Sequence, residues 1–207
     1  MQTKSLILLV TILISAHLSL KAQYAAQNTT YKKCFVGSTF FLLGNFAKTN
    51  KPDFAQLNFG YRLTGQDVIS VELKTWKYAW PLGIPPFGSS FEAPGEEFPG
   101  YIREFGFALV YQHFWWKGLY TAIHMMPAWQ RFVDENDHKI DNGFQLFNTY
   151  RLGYHIKLFN NHFFIEPSIA ITHRPFHTEM PASFKQKDDQ WSKFFFGEPG
   201  LHFGFNF

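Results

Sequence analysis

The 207-residue chain carries 19 Lys and Arg against 16 Asp and Glu, a formal net charge of +3, and 20% of it is aromatic, with 26 Phe. So mild a charge, with no basic run, excludes a nucleic-acid surface, and a single cysteine excludes an internal disulfide framework. Mean hydropathy is −0.17, and beyond the N-terminus no stretch reaches the roughly 20 apolar residues of a spanning helix.

Met1 to Gln23 opens with Lys4, continues with an apolar run from Leu6 to Ala16, and closes on the small residues Ser19 and Ala22. That order predicts a secretory signal peptide over 1–22, then an N-terminal segment over 23–33 and one domain over 34–207.

Within the domain, alternation of period two marks strands. Strand one is expected from Cys34 to Leu43 and strand two from Ala55 to Leu63, where Leu57, Phe59, Tyr61 and Leu63 share a face. Thr64-Gly65-Gln66-Asp67 has turn chemistry. Strand three follows from Val68 to about Trp76. Lys77 to Gly100 is too rich in proline and glycine for a strand, and its Trp80–Pro86 stretch is apolar enough for a packed cap. Strand four is Tyr101 to Phe114, Lys117-Gly118 a tight turn, and strand five Leu119 to Phe132. Asp134 to Asn142 reads as a solvated loop. Strand six is Phe144 to Leu158, Asn160-Asn161 a turn, strand seven Phe163 to His173, and Phe176 to Lys193 a second long polar loop. In the final strand, to the last residue, Leu201, Phe203, Phe205 and Phe207 alternate with Gly200, His202, Gly204 and Asn206.

Eight strands with alternately long and short connections predict an all-β fold. The expected architecture is an eight-stranded antiparallel up-and-down transmembrane β-barrel, with short periplasmic turns and long extracellular loops. The polar face is small (Gly60, Gly106, Ala108, Ala122, Gly153, Ser168, Ala170, Gly200, Gly204), which suits a crowded interior better than a solvated surface. The apolar face therefore points out to lipid, and an aqueous barrel with its apolar face inward is the alternative.

On that register the interior collects Arg62, Glu72, Lys74, Glu104, His124, Arg151, Glu166 and Glu198. Buried charges must be paired, so a plug is expected, with the four glutamates meeting Arg62, Lys74 and Arg151. An eight-stranded ring leaves room only for side chains. Glu166-Pro167 and Glu198-Pro199 predict bulges or broken pairs. No motif calls for a cofactor or a metal.

The C-terminal pattern ending in Phe203, Phe205 and Phe207 resembles the recognition strand of bacterial outer-membrane β-barrel proteins, which the barrel assembly machinery reads. Across the mature chain the sequence is similar to the small eight-stranded outer-membrane proteins of Gram-negative bacteria, those of the Bacteroides-related group in particular. The resemblance implies an outer-membrane location, contact with lipid and lipopolysaccharide, a monomer, and a non-enzymatic envelope or surface protein acting through its extracellular loops, whose ligand it leaves open. Its alternative is an outer-leaflet lipid A acyl hydrolase or acyltransferase, for which His173 or His177, Glu179 and Ser168 are the candidate residues.

Overall fold

A computed structural model describes residues 32–46, 51–78, 99–189 and 192–207. The expected signal peptide over 1–22, nearly all of the 23–33 segment, and the stretch Trp80–Pro86 lie outside the described residues. The elements are β1 (Cys34–Thr39), a 3-10 helix (Phe40–Phe46), β2 (Ala55–Arg62), β3 (Asp67–Tyr78), β4 (Tyr101–Trp116), β5 (Leu119–Val133), β6 (Lys139–Tyr154), β7 (Ile156–Leu158), β8 (Phe163–His177), α1 (Ala182–Asp188) and β9 (Phe194–Asn206).

All nine strands belong to one antiparallel sheet, and its pairings close into a ring. Apart from β6 and β7, which both pair with β8 and not with each other, each strand pairs with its neighbours in sequence, and the first, β1, also pairs with the last, β9, through Phe35–Asn206 to Thr39–His202. The two chain ends of this seam are tied by Cys34 N–H to Phe207 O at 3.0 Å and Phe207 N–H to Cys34 O at 2.9 Å. β7 continues β6 in one register along β8, since Gly153 opposes Ser168 and Ile156 opposes Ile165. The interruption falls at His155, whose N–H bonds the Gly118 carbonyl instead, at 2.8 Å.

The alternation is resolved in space. Phe59, Leu109, Met125 and Ile169, on four different strands, are 50–58% exposed, while Ala108, Ala122 and Ala170 on the opposite face are buried. The outer face is thus largely apolar, where an aqueous barrel needs a polar exterior, while the inner face mixes buried polar groups with an apolar cluster around Phe35, Phe114 and Phe164.

The short turns sit where turn chemistry puts them. Lys117 and Gly118 both take positive φ (45° and 98°), as do Asn160 and Asn161 (55° and 62°), the backbone hand that suits a tight hairpin. The bulge expected beside Glu198-Pro199 is present: Ala170 opposes Glu198 but Ile171 opposes Phe196, leaving Gly197 unpaired at φ 86°. Glu166-Pro167 lies in an unshifted register.

Several boundaries differ from expectation. β1 ends at Thr39, not Leu43, because Phe40, Phe41, Leu42 and Leu43 are four consecutive apolar residues that a strand would split between two faces. The chain winds into the 3-10 helix instead. There Phe40 packs on Phe203 (ring centroids 4.7 Å) and Phe41 on Phe54 (4.8 Å), while the Asn45 side chain bonds the Phe54 N–H and carbonyl, both at 2.7 Å. β6 starts at Lys139, so the loop expected to Asn142 is only 134–138. Its turn is held by Asp134 Oδ1, which accepts the N–H groups of Asn136 (2.9 Å) and His138 (2.8 Å). These bonds, that from His138 first, keep the Asp134 carboxyl below the usual carboxylate range. The strand carries polar residues here, and pairing rather than hydrophobicity extends it. β3 and β4 each run two residues further than expected, to Tyr78 and Trp116, and β8 runs to His177. The polar segment after β8 contains α1, which buries Phe184 and Asp188.

Candidate functional site

The inward face builds the only candidate site among the described residues. Towards the short turns it is packed solid. Phe35 meets Phe164 edge to face (5.4 Å), Phe164 stacks on His155 (4.8 Å), and Phe114 contacts both His155 (5.4 Å) and Tyr120 (5.7 Å). His155 donates from Nδ1 to Glu166 Oε1 at 2.7 Å, and Gln112 Nε2 donates to the same oxygen at 3.1 Å.

The next layer holds the ions. Arg151 donates to Ser168 Oγ (2.9 Å) and to Glu198 Oε1 (3.2 Å). His124 Nδ1 lies 3.1 Å from Glu72 Oε2. Arg62, nearer the seam, donates to Asn206 Oδ1 at 2.7 Å and lies over the Phe35 ring. Of the expected pairs of four glutamates with three cations, Arg151–Glu198 is the one seen among the described residues. Register is the reason: β2 and β3 set Arg62 opposite Val68 and Glu72 opposite Asn58, so Arg62 and Glu72 never come level. Histidines take the places assigned to Arg62 and Lys74.

Glu104 is 1% exposed and accepts from four neutral side chains. Trp76 Nε1 donates to Oε1 at 2.9 Å; Tyr78 OH (2.8 Å), Gln145 Nε2 (2.6 Å) and Gln130 Nε2 (3.3 Å) donate to Oε2. Such a carboxylate is fixed by hydrogen bonds in place of a counter-ion. Above it α1 packs Phe184 on Phe132 (5.0 Å), and Asp188 accepts from Arg174 at 2.7 Å with both side chains buried.

Between the ion layer and this upper cluster the ring is hollow. Filling by side chains, expected throughout, gives way there to a cavity of about 570 Å³. Its aromatic wall includes Phe41, Phe54, Trp76 and Phe147; its polar wall includes Glu72, Lys74, Glu104, Arg151 and Glu198. Residues small enough to admit the space, such as Ala108, Thr149, Thr172 and Gly200, are part of its lining.

The residues named for acyl chemistry are not brought together. Ser168 points inward, onto Arg151 and the Gly200 carbonyl. His173, at the opposite parity on β8, stacks flat on Phe194 at 4.0 Å. His177 Nδ1 lies 2.8 Å from the Thr178 carbonyl oxygen, and Glu179 is exposed. Among the described residues no three His, Cys, Asp or Glu side chains gather as a metal site would need.

Sequence reasoning put Gln130 and His155 on the polar face but left them, with Trp76, Tyr78 and Gln145, out of the expected interior network. Parity alone reaches all five, since each continues the inward face of its own strand. Asp188 carried no such signal, because it arrives on a helix that a polar segment conceals. No family model matches the chain, and no curated protein or solved structure matches it.

Proposed function

We propose that the ring is an eight-stranded up-and-down β-barrel, β6 and β7 counting as one strand, that spans the outer membrane of a Gram-negative envelope as a monomer. The observation that carries this reading is the belt of exposed Phe, Leu, Ile and Met side chains on strands all round the ring, which water would penalise at roughly 25 cal/mol per Å² of apolar surface and a bilayer would not. The start of β1 at Cys34 and the end of β9 beside Phe207 lie next to the short turns, in keeping with turns that face the periplasm. Phe205 and Phe207 project outward at the seam, available to the assembly machinery, and Phe203 packs on Phe163 (6.2 Å).

The protein is then a non-enzymatic envelope protein with lipid and lipopolysaccharide around it, presenting the described connections 40–46, 51–54, 134–138 and 178–189 outside. The packed floor of Phe35, Phe114, Tyr120 and Phe164 closes the barrel to ions. In detergent the unboiled protein is expected to migrate faster on gels than the boiled one, and in planar bilayers to give no steady conductance. Stable channel openings would contradict the closed floor, and identical mobility with full solubility in plain buffer would contradict the membrane reading.

A further inference from the structure

The cavity has a chemical bias that the envelope role does not use. Its volume of about 570 Å³ is in the range of roughly 300–1,000 Å³ that small-molecule sites occupy, and most such sites combine an apolar wall with a few placed polar groups. Here the charged lining falls out unevenly. Glu72 is engaged by His124 and Glu198 by Arg151, Glu104 by four neutral donors, and Arg174 by Asp188. Lys74 differs. It makes no ion pair among the described residues, and its ammonium is flanked by aromatic faces, 5.1 Å from the Trp76 ring centre and 5.9 Å from that of Phe147. Two aromatic walls position the charge without neutralising it, and the carboxylates nearest to it already have donors.

We infer that this cavity binds an amphipathic carboxylate: its apolar body against Phe41, Phe54, Phe147 and Trp76, its carboxylate on the Lys74 ammonium. A neutral molecule of the same shape would fill the same wall but leave that ammonium unanswered, so the site should prefer the acid. A cationic ligand would meet Lys74 and Arg151 and be rejected.

The test uses the full chain in phosphatidylcholine nanodiscs at pH 9, titrated with 11-bromoundecanoate or 11-bromoundecanol. Bromine quenches nearby tryptophan, and the difference between wild type and Trp76→Phe isolates the cavity from the outward tryptophans. The expected result is saturable quenching at Trp76, with the acid half-saturating at about one-tenth the concentration of the alcohol or less, the size of one charge-assisted contact. Lys74→Gln should erase that preference and Lys74→Arg should keep most of it. Equal affinity for acid and alcohol in the wild type, an undiminished preference in Lys74→Gln, or no saturable quenching at Trp76 would each overturn the inference. Should Lys74→Gln fail to fold, the wild-type comparison of acid with alcohol decides alone. Gel mobility and conductance are indifferent to this outcome, so the cavity and the membrane reading fail separately.

Discussion

Glu104→Ala is expected to lower the unfolding free energy by about 3 kcal/mol, the largest loss from any single polar side chain in the ring. The reason is the number of groups it leaves behind. Trp76, Tyr78, Gln130 and Gln145 all donate to this one carboxylate, and a buried donor stripped of its acceptor costs about 1–3 kcal/mol. Four such penalties do not add in full, because the cavity beside Glu104 admits water that can answer some of them. Glu104→Gln is the sharper comparison. It keeps the shape and one acceptor oxygen, which can stay with the three donors at Oε2, and sets its amide nitrogen against the Trp76 N–H. One bond is lost, and the expected cost falls to about 1 kcal/mol. Urea unfolding in lipid or detergent, followed by tryptophan emission, reads both. Equal stability of Glu104→Ala and wild type would mean the carboxylate is not the hub of that network.

Gly37→Val is expected to be at least as damaging, through the seam and not through polarity. Cys34 and Phe207 exchange both backbone hydrogen bonds, so in the alternating antiparallel pattern Gly37 and Gly204 form one of the narrow, non-hydrogen-bonded pairs. A Cβ built on Gly37 lies 2.5 Å from the Phe203 carbonyl oxygen, and one on Gly204 lies 2.5 Å from the Phe164 ring. A ring can turn aside, but a carbonyl in the partner strand's backbone cannot. Overpacking typically costs about 1–3 kcal/mol, and a clash with backbone belongs at the top of that range, here paid at the only place where the sheet closes. The expected readout is a smaller heat-modifiable fraction and an unfolding midpoint well below wild type. Val36→Leu, one residue away and on the outward parity, should change stability by less than about 1 kcal/mol. If Gly37→Val folds and closes like wild type, β1 and β9 are not packed as the seam requires.

The architecture was legible where one physical rule acted on many residues. Period-two alternation from Ala55 to Arg62 and from Tyr101 to Phe114 was enough to sort the side chains into two faces, because a one-residue slip would exchange every one of them, and the small residues of the polar face then indicated which face is inward. Lys117-Gly118 and Asn160-Asn161 were readable as turns from backbone hand alone. Legibility stopped where apolar residues ran consecutively, as at Phe40 to Leu43, since no parity can be assigned there. It stopped again at 176–193, where Phe184 is a lone apolar residue in a polar helix and gives no repeating face.

The interior was legible by composition but not by partner. Parity correctly assigned Glu72, Glu104, Arg151 and Glu198 to the inside; it could not say that Arg62 stands level with Val68, or that His124 and His155 would take the acidic partners. Those facts depend on how far each strand is staggered against the next, a quantity set by hairpin geometry and absent from any single strand. The cavity was invisible for the same reason. Its lining gathers small residues from different strands, Ala108, Thr149, Thr172 and Gly200, and no single strand shows that they share one space.

The central claim is that the outward face meets lipid all round the ring, and nitroxide labels test it most directly. In a Cys34→Ser background, single cysteines replace Phe59, Leu109, Met125 and Ile169, one on each of β2, β4, β5 and β8, with Glu135 in the 134–138 turn as the aqueous reference. After reconstitution into bilayers, all four ring positions are expected to collide readily with oxygen and hardly at all with a water-soluble nickel chelate, while Glu135 shows the opposite. Nickel accessibility at the four positions equal to that at Glu135 would contradict the account and place the apolar face in water or against another protein surface.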